Sequence, residues 1–65
     1  MNNGMDGPPL WKLAYRIPEV AYLLSMSISK VKQLIRRKEL KHVKVDGATL
    51  VTRRRLREYL RSIDI

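Results

Sequence analysis

The sequence has no cysteine and only one histidine among its 65 residues. Without cysteine the chain cannot form a disulfide framework or a thiolate metal site, and one histidine is too few for a zinc site. No apolar run approaches the roughly 18–20 residues of a membrane span, and residues 1–9 lack the basic and apolar regions of a signal peptide. We therefore expect no metal ion, no contact with a membrane, and a cytoplasmic location.

Catalytic constellations are missing as well. The sequence offers no nucleophile–base pair, no pair of carboxylates on one helical face and no phosphate-binding loop. A chain this short builds a small core, which supplies little rigid surround for a substrate pocket. We therefore expect no enzyme, no catalytic residue, no cofactor and no small-molecule ligand.

Positive charge is what the chain does have. Fourteen Lys and Arg residues against six Asp and Glu residues give a formal net charge of +8. Residues 28–61 hold twelve of the basic residues and three of the acidic ones, whereas residues 1–27 are balanced. This distribution favours a polyanionic partner, and nucleic acid is the first candidate. An acidic membrane surface is the second, but the basic helix faces carry no large apolar flank, so contact with a membrane is not expected. The alternative, that the charge only serves solubility, stays open.

The N-terminal part predicts a tail and an edge strand. Residues 1–9 are rich in Asn, Gly and Pro, which predicts a flexible tail ahead of a single domain over 10–65. Four apolar residues then recur at a period of two, as in a half-buried strand. They are Trp11, Leu13, Tyr15 and Ile17.

Two short helices with a three-residue break are predicted next. Pro18 and Glu19 favour a helix start, and this helix is expected to end near Leu24. Ser27 is a good N-cap for a second helix over residues 28 to about 38. Its apolar side chains fall on one face. The opposite face is polar and basic and comprises Ser29, Lys30, Gln33, Arg36 and Arg37.

Residues 42–51 predict a β-hairpin, because Asp46-Gly47 is a favoured two-residue turn. Three of its apolar residues are expected to face one side, namely Val43, Val45 and Leu50.

A third helix is predicted from Arg53 to about Ile63, with Thr52 as its cap. Its apolar stripe is expected to be core, and it comprises Leu56, Tyr59, Leu60 and Ile63. The arginines at 53–55 oppose the helix dipole at a cost of about 0.3–1 kcal/mol each. That conflict favours contact with phosphate, and a merely solvated arginine run remains the alternative.

Two short helices followed at once by a hairpin make a winged helix-turn-helix, an α+β fold with three short helices, a β-hairpin wing and an N-terminal edge strand. The segments 17–27, 30–40, 43–47 and 51–60 resemble, in their order and spacing, the excisionase-like, MerR-related winged helix-turn-helix domains. The resemblance covers about residues 15–61.

The resemblance implies that the second helix enters the major groove of DNA while the wing approaches the minor groove. The implied base-reading residues are Ser29, Lys30, Gln33, and either Arg36 or Arg37. The implied phosphate contacts are Lys32, Lys44, Arg53 and Arg54, and the wing adds Gly47 and Thr49 to the DNA-binding residues. Where the family usually carries arginines just after the wing tip, this chain has Ala48 and Thr49.

The resemblance also implies a role. Such excisionases, or recombination directionality factors, bind repeated sites on double-stranded DNA side by side, bend the DNA and direct a tyrosine or serine integrase toward excision. We expect a phage or mobile-element protein of this kind, associated with the nucleoid of a bacterial host and self-associating cooperatively on DNA. The chain stops at the winged domain, which favours this role over that of regulators with a dimerising helix and a sensor region. A small transcriptional repressor or activator of the same fold, and a protein-interaction adaptor with a basic face, remain alternatives.

Overall fold

The computed structural model describes residues 12–64. It has the predicted small α+β architecture, with three helices and one three-stranded antiparallel sheet. The predicted tail (1–9), Leu10 and Trp11 lie outside the described residues. The elements in chain order are β1 (Ala14–Arg16), α1 (Ile17–Leu24), α2 (Ile28–Arg36), β2 (Val43–Val45), β3 (Ala48–Thr52) and α3 (Arg53–Ile63).

The central strand of the sheet is β3, which pairs antiparallel with β1 on one side and with β2 on the other. Tyr15 lies opposite Val51 in the first pair. The turn between β2 and β3 places Asp46 at φ 51° and Gly47 at φ 82°. A two-residue hairpin turn needs positive φ at both positions, so the predicted hairpin and its turn are confirmed.

The first helix begins and ends as predicted. The backbone N–H of Arg16 donates a hydrogen bond of 2.8 Å to the carboxylate of Glu19, which satisfies a free amide at the helix start. At the other end Ser25 adopts φ 57°, and the N–H of Met26 donates to the carbonyl oxygen of Ala21 at 3.0 Å. This left-handed residue turns the chain sharply from α1 into α2.

The second helix starts at its predicted cap and ends earlier than expected. The backbone N–H of Lys30 donates to the Ser27 hydroxyl at 3.1 Å. The helix stops at Arg36 rather than near residue 38, because Lys38 adopts the left-handed conformation at φ 64°. The turn carries Leu40 back into the core, where only 1% of it is exposed.

The core lies between the helices and one face of the sheet. Its residues are Tyr15, Val20, Ala21, Val31, Leu34, Leu40, Val51 and Leu56. Both helices of the helix-turn-helix and the central strand contribute to it, so the core fixes the angle between the two helices and the hairpin. Burial of apolar area contributes about 25 cal/mol per Å², which makes this cluster the main source of stability.

Two expectations about apolar residues were wrong. Leu13 is 78% exposed and Ile17 begins α1, so the alternating pattern forms only a three-residue strand around Tyr15. In α3 the stripe is core only at its beginning, since Leu60 is 43% and Ile63 56% exposed. A helix stripe is buried only where another element covers it, and the small core ends before the last turns of α3.

The apolar residues of the hairpin face one side, as expected, but this side is not the core. Val43 pairs with Leu50, and both lie on the face opposite Val51. Val43 is 39% and Val45 50% exposed. No described helix is long and apolar enough to cross a membrane.

Candidate nucleic-acid interface

The second helix presents a polar edge to solvent. Val31 and Leu34 are buried, which fixes the rotation of the helix. At 100° per residue the opposite edge carries Ser29, Gln33 and Arg36. Ser29 and Arg36 are exposed and Gln33 is half-buried. Hydroxyl, amide and guanidinium groups at this spacing can donate to and accept from base edges in a major groove.

A basic groove lies between α2 and the hairpin. It has a volume of about 340 Å³. Its charged residues are all basic, with Lys32 and Arg36 on the helix and Lys44 on β2. The remaining lining residues are Ile17, Ile35, His42 and Thr49. Four of the predicted DNA-binding residues, Lys32, Arg36, Lys44 and Thr49, thus meet in one place.

The strand register explains why the hairpin contributes to this groove. Lys44 pairs with Thr49 across the two strands. Val51 lies two residues beyond Thr49 and is in the core, so Thr49 and Lys44 are on the face of the sheet that meets the helices. Gly47 stands in the turn at the tip of the hairpin and keeps its positive φ there.

The groove continues into a second basic cleft of about 310 Å³. Ile35 and His42 line both clefts, and Arg55 reaches the second one from α3. Lys38 and Lys41 complete its charged lining. A continuous basic surface therefore runs from the hairpin past the C-terminal end of α2.

The groove cations are not neutralised within the part of the chain that the structure describes. Over residues 12–64, no ion pair involves Lys32, Arg36 or Lys44. By contrast, Arg37 lies 3.9 Å from the carboxylate of Glu39, so one predicted DNA contact has an internal partner. Cations gathered without carboxylates create the positive potential that attracts a phosphate backbone.

The remaining predicted residues lie elsewhere. Lys30 and Arg37 are exposed on the side of α2 away from Lys32, outside the groove lining. Arg53 and Arg54 line a separate cleft of about 560 Å³, together with Arg57 and Arg61. Arg53 and Arg54 therefore do not share the groove of α2 and the hairpin.

Glu19 lies outside the groove lining and holds the start of α1 in place. Its carboxylate accepts a hydrogen bond of 2.8 Å from Lys12 Nζ and another from the Arg16 backbone. The bond from Lys12, aided by the one from Arg16 and by both positive charges, lowers the pKa of Glu19 against a smaller opposing effect of burial. The ionised carboxylate thus fastens the start of α1 to the segment before β1.

The structure adds residues to these clefts that the sequence did not predict. His42, which the sequence did not mark as a DNA-binding residue, lines both clefts beside Ile35. Lys41 and Arg55 join the second cleft. A signal existed for His42, because it precedes Lys44 by two residues and so continues the same face of the hairpin. No sequence pattern brings Arg55 to α2, since that proximity depends on the packing of α3.

A sequence model of a family described as a helix-turn-helix domain matches residues 14–63. The match covers every element from β1 to α3. No curated protein and no solved structure matches the sequence.

Proposed function

The chain belongs to the helix-turn-helix domain family and is a DNA-binding domain of that kind, and we propose that it acts as an excisionase. In this role it binds repeated sites on double-stranded DNA, bends the DNA and directs an integrase of the tyrosine or serine class toward excision. It has no catalytic step of its own. Its proposed activity consists of binding DNA and bending it.

The observation that carries the DNA-binding part of the proposal is the groove between α2 and the hairpin. Its charged residues, Lys32, Arg36 and Lys44, come from two elements and face the same space without a carboxylate among them. A duplex whose major groove receives α2 would place a phosphate strand along this space. Lysine and arginine there neutralise phosphates and release counterions, which supplies affinity independent of sequence.

Base recognition falls to the outward edge of α2. Gln33 can form a bidentate pair with N6 and N7 of adenine, and Lys30 or an arginine can bind O6 and N7 of guanine. Ser29 lies one turn before Gln33 on the same edge. Arg36 and Arg37 extend the reading surface toward the end of the helix. The half-burial of Gln33 limits its rotamers, which favours a directional contact.

The hairpin and α3 complete the proposed contacts. Gly47 and Thr49 lie at and beside the tip, where the backbone can approach a phosphate closely. Arg53 and Arg54 are proposed to contact phosphates that flank the bound groove. Their cleft is separate from that of Lys32, so these contacts require the DNA to extend beyond the α2 site.

Two observations support the excisionase role. The segments over residues 15–61 resemble excisionase-like, MerR-related domains, and the matched family includes excisionase-like proteins. The alternative is a small transcriptional repressor or activator, which uses the same fold and the same groove. The two roles differ in how copies are arranged on DNA, since two-fold dimers read inverted half-sites.

The deciding experiment selects bound duplexes from a random-sequence DNA library at physiological salt and footprints the winners. We expect short direct repeats that fill cooperatively and a bend measurable by circular-permutation gel shift. Enriched inverted repeats bound by a stable dimer would replace the excisionase with a repressor. Absence of any enriched sequence would contradict base reading by α2.

A further inference from the structure

The C-terminal half of α3 presents a basic stripe next to apolar residues that nothing in the described structure covers. Arg57 and Arg61 are four residues apart and therefore lie on one face of the helix. Leu60 lies about 60° from Arg57 around the helix and is 43% exposed. Leu13, 78% exposed, faces the same arginines across a cleft of about 560 Å³.

This surface, which we call the α3 surface, comprises Leu13, Arg57, Leu60 and Arg61. It differs in chemistry from the groove on α2. The groove of Lys32, Arg36 and Lys44 has no large apolar side chain that is mostly exposed. Phosphate gains nothing from contact with exposed leucine, whereas a protein segment that buries leucine gains about 25 cal/mol per Å². The mixture of arginine and leucine therefore favours a protein partner.

The charge of the α3 surface indicates the charge of its partner. Its cleft holds four arginines, including Arg53 and Arg54, against one carboxylate, Glu58. Glu58 is already hydrogen-bonded at 3.1 Å to Arg55, which does not line this cleft. A complementary partner must therefore be acidic as well as apolar.

The chain itself does not provide such a partner. Residues 1–11 contain a single acidic residue, Asp6. Among the described helices, α2 has no acidic residue, and α1 and α3 have one each, Glu19 and Glu58. A second copy would thus bring arginines to arginines with few carboxylates to oppose them.

We propose that the α3 surface docks an acidic amphipathic helix of another protein. Such a helix has carboxylates at three- or four-residue intervals that reach Arg57 and Arg61, and an adjoining apolar edge that covers Leu13 and Leu60. Arg57 and Arg61 are about 6 Å apart along the axis of α3, so two turns of the partner are enough, and Arg53 and Arg54 stay with the phosphates that flank the α2 site. DNA on α2 and a protein on α3 can then be bound together.

The test uses two synthetic peptides of identical composition and the full chain labelled with ¹⁵N. One peptide places glutamates at four-residue intervals beside a row of leucines, and the other is a scramble without that periodicity. In ¹H–¹⁵N spectra we expect the patterned peptide to shift the amide resonances of Leu13 and α3 while leaving those around Lys44 in place. The scramble should bind more weakly.

Three variants separate the contributions. Arg57→Gln with Arg61→Gln should weaken the patterned peptide about fivefold, while affinity for random duplex DNA stays within a factor of two of the change expected from net charge alone. Leu13→Ser should weaken the peptide without changing DNA affinity. The matched control, Lys32→Gln with Arg36→Gln, removes the same charge from the groove and should affect DNA instead.

Each contrary result is distinct. Equal binding of both peptides would mean that the α3 surface recognises only the net charge of the peptide and not its helical pattern. That result would overturn the proposal. If Arg57→Gln with Arg61→Gln costs duplex affinity as much as the groove control, the α3 surface is a phosphate contact and not a protein dock. Failure of the groove control to lower DNA affinity would count against the proposed function, and leave the peptide result to stand alone.

Discussion

Gln33 is the residue with the most specific proposed task. It lies on the outward edge of α2, half-buried, with an amide that can donate and accept. We expect Gln33→Ala to cost about 1–3 kcal/mol on the selected site and little on random duplexes, because only a base contact discriminates sequences. Fluorescence anisotropy with both DNAs measures the difference. An equal loss on both would remove Gln33 from the base-reading residues.

Glu19 gives a prediction about pH. Its pKa is lowered in the folded protein, so the ionised form stabilises the fold above the unfolded-state pKa, and this contribution is lost as pH falls through the folded-state pKa. We expect Glu19→Gln to lower the free energy of unfolding at neutral pH by about 1 kcal/mol or less, since the Lys12 pair is partly solvated.

The measurement is urea unfolding of both proteins at neutral and at acidic pH. The difference between them should shrink as the pH falls below the ordinary range of a glutamate. A difference that persists in acid would mean that the carboxylate acts through its shape and not through its charge.

At the scale of elements, the start of α2 depends on one hydroxyl. Ser27 accepts the N–H of Lys30 at 3.1 Å. We expect Ser27→Ala to cost about 0.5–2 kcal/mol in the free energy of unfolding, which is typical for a lost N-cap. Ser29→Ala is the control, since Ser29 is exposed inside the helix and caps nothing in the described structure. Equal stability of the two variants would contradict the role of the cap.

The first turn of α3 opposes its own dipole. Arg53 and Arg54 stand at the positive end of the helix, where cations cost about 0.3–1 kcal/mol each. We expect Arg53→Ala with Arg54→Ala to raise the melting temperature, to weaken all duplexes alike and to flatten the dependence of affinity on salt. An unchanged salt dependence would show that these arginines do not neutralise phosphate.

The sequence predicted most boundaries of the helices and the hairpin, which depend on local hydrogen bonds and turns. It did not predict which apolar residues are buried. Ser27, Thr52 and the Asp46-Gly47 turn each satisfy or bend the backbone within a few residues, so the sequence predicted where α2, α3 and the hairpin begin. Periodicity shows which residues share a face, but not whether another element covers it. For that reason Leu13 was wrongly expected to be half-buried.

At the scale of the whole molecule, charge is sorted into two surfaces. We expect Lys32→Gln with Arg36→Gln to reduce the slope of log affinity against log salt by about two, because two phosphate contacts are lost. Arg57→Gln with Arg61→Gln changes the net charge equally and should leave the slope near that of the parent protein. Titrations at several salt concentrations compare the two variants. Identical slopes would mean that DNA affinity depends on the number of positive charges removed and not on where they lie.

The sequence could predict the polar and basic face of the second helix, since the residues of that face all lie within one short segment. It could not predict the groove, whose lining comes from α1, α2 and both hairpin strands. Nor could it place Arg55 in one cleft with Lys38 and Lys41, because that proximity depends on how α3 packs in the folded chain.

The pairing of β1 with β3 also sets the order in which the chain can assemble. Tyr15 meets Val51 across a stretch that contains the whole helix-turn-helix, so this pairing closes a long loop, while the hairpin closes a short one. Short loops close first, and β1 has only three residues with which to hold the long one. We therefore expect amides of β1 to exchange with solvent sooner than those of β3, and any release of β1 to free the first helix before the wing comes apart.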